Sequence, residues 1–263
     1  MIASKEGIKI MVSEPMAGER PEPHWAWYKK TLDMVKRPVT SIDFVHLKKG
    51  YRSLSPYTSA YNVLSMVQRA YEAEKKGYDA FIIGCATDLG LRESRAIVNI
   101  PVIAPTEAVV HFAATLGNKF SIIAVNPNGC VLMANLVTSY SLRDKLASVR
   151  PVPGLTLTKT FQMMLGGEQE KLIDMITREM VQAVEQDGAE AFFVPCVPTS
   201  SMLTMNGIHT VAGAPVIDLL SLSVKQAEMM VEVKRAYGMS VCKRSIYCPP
   251  YESWEKDIPI MTE

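Results

Sequence analysis

The chain has 263 residues, with 28 basic and 27 acidic side chains and a formal net charge of +1. This length can bury a large core, as one domain or two smaller ones. Because the charges balance and no long run of like charge occurs, the composition argues against binding to nucleic acid or to an anionic membrane. Residues 1–9 are too polar for a signal peptide, and apolar runs such as 120–125 are too short to span a bilayer. We therefore expect a soluble, cytoplasmic protein.

Short apolar runs alternate with helical patterns along the first half. Strands are predicted over residues 8–13, 41–47 and 80–84. A Pro/Gly-rich loop is predicted at 14–23. Apolar residues at helical spacing predict a helix over 57–76, which Gly77 would end as a C′ glycine. The run at 80–84 is continuously apolar, as is typical of a strand buried on both faces of a parallel sheet.

The second half repeats this plan. Strands are predicted over 120–125 and 191–194, and a helix over 171–184 that ends at Gly188. Each half then has a Pro-Val-Ile segment, at 101–103 and at 215–217. Alternating strands and helices predict two α/β units, each with a mainly parallel sheet flanked by helices. Open sheets of this kind bind ligands at the carboxyl ends of their strands.

Residues 74–85 and 185–196 are versions of each other, and each segment ends in a cysteine, Cys85 or Cys196. Glu, Gly, Ala, Phe and Cys recur in register. The repeat indicates two similar halves, each with one thiol after a buried strand. Such a pair suits an enzyme that handles a proton on both faces of one carbon. A duplicated structural cysteine would give the same pattern, so this chemistry is a hypothesis.

The other candidate ligands form no recognisable site. Five cysteines at wide spacing, without a C-x-x-C pair, argue against a disulfide framework or a zinc ribbon, so we expect reduced thiols. The four histidines lack metal-ligand spacing. His24, among aromatic neighbours, is expected to pack, and only His209 is kept as a candidate site residue. No dinucleotide fingerprint or P-loop occurs, so we expect no metal and no cofactor.

A thiol pair can move a proton across a carbon if one cysteine starts as thiolate and the other as thiol. An unperturbed cysteine titrates at about 8.5, and a helix N-terminus or a nearby cation lowers that value. Thr87 and Asp88 are predicted to cap a helix over 89–96, and Thr199 and Ser200 to cap or turn the chain after the second cysteine. The N–H groups at these helix starts would also stabilise the enolate formed when the proton leaves.

Charges near the cysteines bear on the substrate. Asp88 and Glu14 are expected near the site, where they would disfavour a dianion unless Arg92 or Arg95 balances them. The prolines on either side of Cys196 lack N–H groups, which weakens anion binding there. These features favour a neutral or singly charged substrate, such as a cyclic amide.

The first cysteine block resembles a known family. Residues 84–91, Arg95, residues 100–103 and Glu107 are similar to the first cysteine motif of hydantoin and allantoin racemases, within the aspartate/glutamate racemase superfamily. The second block departs from that pattern, since the stretch at 195–200 is nearer to maleate isomerases. The first strand also ends in Glu-Pro where hydantoin racemases have Asn-Pro-Asn.

The resemblance implies two pseudo-twofold-related α/β domains with the active site in the cleft between them. It implies one domain over 1–117 plus 218–263 and a second over 118–217, with the last helix crossing back onto the first. It also implies catalysis without a cofactor, Cys85 and Cys196 as the proton-transfer residues, and assembly into a homo-oligomer.

The prediction is therefore a cofactor-independent racemase or epimerase acting on a small molecule, a hydantoin or a related amide or amino-acid derivative. The catalytic residues would be Cys85 and Cys196. The candidate substrate-binding residues are Glu14, Pro15, Thr87, Asp88, Glu107, Thr199, Ser200 and His209. One alternative is a maleate-isomerase-like or arylmalonate-decarboxylase-like enzyme that uses one cysteine. Another, from a different class, is a two-lobed ligand-binding protein without catalysis.

Overall fold

Strands and helices alternate along the chain in a computed structural model, which describes residues 7–17, 22–47, 50–51 and 55–253. The strands are β1 (Ile8–Ala17), β2 (Thr40–Leu47), β3 (Ala80–Ile83), β4 (Val102–Ile103), β5 (Phe120–Ala124), β6 (Leu146–Pro151), β7 (Phe192–Phe193), β8 (Thr210–Val211) and β9 (Ala214–Pro215). The helices are α1 (Glu22–Asp33), α2 (Pro56–Lys75), α3 (Leu91–Ile97), α4 (Pro105–Leu116), α5 (Gly129–Ser139), α6 (Leu157–Leu165), α7 (Gln169–Asp187), α8 (Val197–Met205) and α9 (Leu219–Tyr237).

The chain divides into two compact units. The described residues of the first fall within 1–20, 36–104 and 223–263, and those of the second within 21–35 and 105–222. This division differs from the predicted domain boundaries at α1 and α4, which were placed in the first domain. Both helices cluster with the second unit because α1 packs on α8 and α4 packs on α5 and β5.

The first unit contains a four-stranded parallel sheet in the order β2-β1-β3-β4. All four residues of β3 are buried, as the continuous apolar run predicted. Helix α2 packs on β1, β3 and α3. It begins at Ser55, whose hydroxyl accepts the N–H of Thr58 at 3.3 Å, and it is followed by Gly77 with φ of +74°. The predicted C′ glycine is therefore confirmed.

The second unit contains a three-stranded parallel sheet in the order β6-β5-β7. Phe192 of β7 also forms a parallel bridge to Val216, so the Pro-Val-Ile segment lies beside β7. Helix α7 buries Leu172, Ile176 and Met180 in the core, and Gly188 ends it with φ of +68°. The predicted helix and its glycine end are confirmed.

The two sheets share one plan. In the first, β3 lies between β1 and β4, and Phe81 pairs with Val102. In the second, β7 lies between β5 and the bridging segment, and Phe192 pairs with Val216. The sequence repeat therefore corresponds to a repeated position in a parallel sheet, and each cysteine follows the strand at that position.

The C-terminal arm, the described residues 238–253 after α9, is part of the first unit and packs on α3. The amino group of Lys243 donates to the carbonyl oxygens of Arg95, of Ala96 at 3.2 Å and of Val98 at 2.6 Å, at the end of α3. Residues 254–263 lie outside the described part of the chain. Among the helices described above, none is long and apolar enough to cross a membrane.

Candidate active site

The turn that carries Cys85 begins with a close approach between two strands. After β3 ends, the N–H of Gly84 donates to the carbonyl oxygen of Ser13 at 2.7 Å. A Cβ at position 84 would lie 2.9 Å from that same oxygen. Only glycine fits without a shift of the backbone, so Gly84 allows Cys85 to follow β3 directly beside β1.

The half-buried Cys85 contacts a hydroxyl from its own turn. Its Sγ lies 3.1 Å from Oγ1 of Thr87, and its carbonyl oxygen accepts the N–H of Asp88 at 3.1 Å. Asp88 and Gly90 both have positive φ, of +52° and +77°. These two residues prevent a helix from starting until Leu91, and Gly90, which has no side chain, occupies the N-cap position. The predicted helix start at 89 and the predicted cap by Thr87 and Asp88 are therefore wrong.

Glu14 and Pro15 are part of β1, which is longer than predicted. The strand continues to Ala17, and Glu14 pairs with His46 of β2. The predicted loop therefore does not begin at 14, and residues 18–21 lie outside the described residues. The Glu14 side chain is only 3% exposed, which places a carboxyl in the interior at the carboxyl end of the strand.

Arg92 and Arg95 are the two arginines that could balance the acids. Arg95 donates through Nε and Nη2 to the carbonyl oxygen of Val102, at 3.3 and 3.0 Å. This side chain holds α3 against β4. Arg92 is exposed on the same helix.

Cys196 is the N-cap residue of α8, directly before Val197. It has extended backbone, and its carbonyl oxygen accepts the N–H of Ser200 at 2.8 Å, the first hydrogen bond of the helix. The prediction that this cysteine precedes the start of a helix is confirmed. In the first turn the N–H groups of Val197 and Thr199 have no carbonyl acceptor within the helix, and Pro198 has no N–H. The turn can therefore offer two backbone donors to an oxygen.

Thr199 and Ser200 lie inside α8 rather than at its cap, so the predicted capping is wrong. The helix starts at Val197, which turns both side chains inward, and both are buried. The Thr199 hydroxyl donates to Sδ of Met164 at 3.4 Å. The Ser200 hydroxyl donates to Oδ2 of Asp218 at 3.0 Å.

Asp218 is a buried carboxyl that the sequence reasoning missed. It precedes α9, and its Oδ1 accepts the N–H of Ser221 at 2.7 Å as an N-cap. Burial raises its pKa above the ordinary value, although hydrogen bonds from Ser221, Ser200 and Ser201 act in the opposite direction. An aspartate directly before a helical apolar run is an N-cap signature, so the pattern after 215–217 contained the signal.

The other candidates lie on different elements. Glu107 is in the first turn of α4, and its carbonyl oxygen contacts Nδ1 of His111 at 2.7 Å. His209 is exposed before β8, and its carbonyl oxygen accepts the N–H of Val216 at 2.9 Å. Substrate binding by these two residues stays a prediction, as it does for the candidates above. His24 is buried against Trp25 and Tyr28, so its predicted packing role is confirmed.

The five cysteines all lie in the described part of the chain, and no disulfide joins any of them. Burial raises the pKa of the Cys130 thiol above its ordinary value. Within residues 7–17, 22–47, 50–51 and 55–253, no three His, Cys, Asp or Glu side chains are grouped so that they could hold a metal ion. The candidate site residues carry thiols, hydroxyls and carboxyls, and α8 adds the N–H groups of its first turn.

Known proteins are similar to this chain in sequence and in fold. The sequence matches the Asp/Glu/Hydantoin racemase family over residues 28–227. It is 30% identical over 198 residues to a hydantoin racemase of Pseudomonas sp. (strain NS671), across 75% of this chain and 76% of that one. A hydantoin racemase of Rhizobium meliloti is 28% identical over 193 residues, across 73% and 74% of the two chains. The allantoin racemase from Klebsiella pneumoniae has a similar structure, with a TM-score of 0.79, 22% identity and coverage of 94% of this chain and 95% of that one. The chain therefore belongs to the Asp/Glu/hydantoin racemase family and is an isomerase, a racemase.

Proposed function

We propose that this protein is a cofactor-independent racemase of hydantoins or closely related cyclic amides, with Cys85 and Cys196 as its two acid/base groups. One thiolate removes the proton from the stereogenic carbon, and the other thiol returns a proton to the opposite face. The roles exchange for the opposite enantiomer. The proposal requires both sulfur atoms to reach the same substrate carbon.

The observation that carries the proposal is the equivalent placement of the two cysteines. Each follows the strand that lies between the first strand of its sheet and a Pro-Val-Ile segment. The position is also the carboxyl end of a parallel strand, which is where open α/β sheets bind ligands. The two relatives named as hydantoin racemases support a hydantoin as the substrate.

The surroundings of each thiol suit proton transfer at a carbonyl-activated carbon. Removal of the proton gives an enolate, whose oxygen needs hydrogen-bond donors. The N–H groups of Val197 and Thr199 at the start of α8 are such donors. On the other side, Thr87 can donate its hydroxyl to a Cys85 thiolate or accept from the thiol, because the two atoms are 3.1 Å apart. The hydroxyl therefore suits both protonation states.

The test is hydrogen exchange in heavy water with each enantiomer of a 5-alkylhydantoin, followed by NMR and by optical rotation. The wild type should racemise both enantiomers and incorporate deuterium at the α-carbon. Cys85→Ser and Cys196→Ser should each reduce racemisation by about 10²–10⁴-fold or more, as expected for loss of an acid/base group. Each variant should still exchange the α-proton of one enantiomer with retention, and the two variants should act on opposite enantiomers.

Cys242→Ser is the matched control, because Cys242 is an exposed thiol on the C-terminal arm. This variant should racemise at the wild-type rate. Full racemisation by Cys85→Ser would overturn the two-base proposal and favour chemistry that uses one cysteine. Binding of hydantoins without exchange in the wild type would show that hydantoins are not its substrates.

A further inference from the structure

The carboxyl of Asp218 is nearly inaccessible, at 9% exposure, and the acid/base chemistry proposed above does not use it. Its Oδ2 accepts hydrogen bonds from the hydroxyls of Ser200 at 3.0 Å and Ser201 at 3.4 Å. Its Oδ1 accepts the N–H of Ser221. One side chain thus joins the start of α9 to the first turns of α8.

The Ser200 residue connects this carboxyl to the second cysteine in two steps. Its N–H donates to the carbonyl oxygen of Cys196, and its hydroxyl donates to Asp218. The same hydroxyl accepts the N–H of Leu219 at 3.1 Å. The N–H and the hydroxyl of Ser200 therefore both help to fix the backbone of the turn that carries the thiol relative to α9.

Helix capping alone does not explain a buried acid with these partners. A hydroxyl or amide side chain caps a helix as well as a carboxylate does, without the cost of burying a charge. The sheet plan does not require an acid either. At the equivalent position of the first unit, directly after Pro101-Val102-Ile103, the residue is the buried Ala104. Asp218 therefore has no acidic counterpart at the equivalent position of the first unit.

We propose that Asp218 is a positioning residue for Cys196, acting through the hydroxyl of Ser200 to set the direction of the thiol at the start of α8. This inference rests on the proposed racemase function, and it changes the expected role of Ser200 from substrate binding to positioning. A thiol misplaced by about 1 Å can lower a rate by as much as 10²-fold, so a side chain outside the reaction can have a large effect on it.

The test compares Asp218→Asn with Glu228→Gln. Glu228 is also a buried, hydrogen-bonded carboxyl of α9, but it contacts Arg37, Thr40 and Lys225 in the first unit. Racemisation and α-proton exchange are measured for each enantiomer. The alkylation rates of Cys196 and Cys85 by iodoacetamide, without substrate, are measured by peptide mass spectrometry.

In Asp218→Asn we expect kcat to fall about 10–100-fold, with a much smaller change in KM. The loss of exchange should be greater for the enantiomer that also loses exchange in Cys196→Ser. The alkylation rate of Cys196 should change while that of Cys85 does not. Glu228→Gln should show none of these differences between the two cysteines or the two enantiomers.

Two Ser200 variants keep the test decisive if Asp218→Asn does not fold. Ser200→Ala removes the link to α8 but leaves the cap between Asp218 and Ser221, and it should reproduce the change in Cys196 alkylation. Ser200→Thr keeps the hydroxyl, and its Cys196 alkylation rate should lie nearer to the wild-type value than that of Ser200→Ala. Because alkylation is measured without substrate, a changed rate in Ser200→Ala cannot come from lost substrate binding.

The alkylation experiment separates failure of this inference from failure of the proposed function. If the wild type racemises no hydantoin but Cys196 alkylation still responds to Asp218→Asn and Ser200→Ala, the link holds and the substrate proposal is wrong. If Cys196 is alkylated at the wild-type rate in the folded Asp218 and Ser200 variants, Asp218 is a structural cap and the inference is overturned.

Discussion

Cys85 and Cys196 follow strands at the same place in two parallel sheets, yet the chain after each one is built differently. Cys85 is followed by a turn with two positive φ values, and the next helix starts six positions later at Leu91. Cys196 is the N-cap residue of α8, so its helix starts at the next residue, Val197. The Thr87 hydroxyl lies beside the Cys85 thiol. The hydroxyls of Thr199 and Ser200, which follow Cys196, donate instead to Met164 and Asp218.

This difference shows that a repeated fold can hold two thiols in unequal surroundings. Thr87 provides a side-chain partner on the first side. Helix N–H groups are the available donors on the second side, where Ser200 is bonded to Asp218. A substitution can remove a side-chain partner such as Thr87 but not a backbone N–H. Substitutions should therefore affect the surroundings of the two cysteines differently.

The largest expected effect is at Gly84, where the repeat has Pro195 in the second half. In Gly84→Ala the added methyl would meet the Ser13 carbonyl oxygen at 2.9 Å. We expect overpacking to lower the free energy of unfolding by about 1–3 kcal/mol and to impair racemisation by moving Cys85. Urea unfolding and initial rates measure both effects.

Gly129→Ala is the control, because a Cβ at position 129 would meet nothing within 4 Å. It should stay within about 0.5 kcal/mol of the wild type. An equally stable and active Gly84→Ala would show that the turn at Cys85 tolerates displacement, which would weaken the contrast between the two sides.

The next largest expected effect is a difference in kcat between variants of Thr87 and Thr199. Thr87→Val removes the hydroxyl beside Cys85, and we expect kcat to fall about tenfold, in line with loss of one hydrogen bond to a charged group. Thr199→Val removes a buried contact with Met164, so its loss of kcat should be smaller. Steady-state kinetics with both enantiomers measure this difference, and equal losses would contradict the assignment of side-chain support to the Cys85 side.

A smaller effect is expected for the arm that holds α3, the helix after the Cys85 turn. Lys243→Met removes a cation from three carbonyl oxygens at the end of this helix. We expect a loss of about 1 kcal/mol and faster amide exchange in α3 than in α8. Lys171→Met is the control, because Lys171 forms an exposed surface pair with Glu168. Equal exchange in the two helices would show that the arm is not needed there.

The smallest expected effect is on the pH dependence of the protein's stability. Burial raises the pKa of Glu228, but hydrogen bonds from Lys225, Thr40 and the Arg37 N–H bring it below the ordinary value of 4.5. A lowered folded pKa stabilises the protein above about pH 4.5, and that contribution is lost as the pH falls through the folded value. Glu228→Gln should therefore cost about 1 kcal/mol at pH 7, and its melting temperature should approach that of the wild type in acid.

For Asp218 the expected pH dependence of stability has the opposite sign to that of Glu228. Because its folded pKa is raised, its ionisation opposes folding as the pH rises above the unfolded value. The melting temperature of Asp218→Asn, relative to the wild type, should therefore rise between pH 4 and pH 7. Parallel pH profiles for the Asp218 and Glu228 variants would contradict this contrast between the two carboxyls.

Local signals in the sequence predicted the elements well where one rule dominated. Continuous apolar runs identified β3, and glycines with positive φ marked the ends of α2 and α7. The turn after Cys85 was predicted less well, because Thr and Asp also favour caps. Here Gly90 and a left-handed Asp88 delay the helix.

The sequence by itself determined the alternating α/β plan, the repeat and the two cysteines that follow equivalent strands. These features depend on apolar periodicity and on backbone rules that act within a few residues. Only the tertiary structure decided which groups surround each thiol. Thr87 meets Cys85 within one turn, but Ser200 meets Asp218 across 18 positions of sequence. Such a partnership depends on how α8 and α9 pack, and no local pattern contains that information.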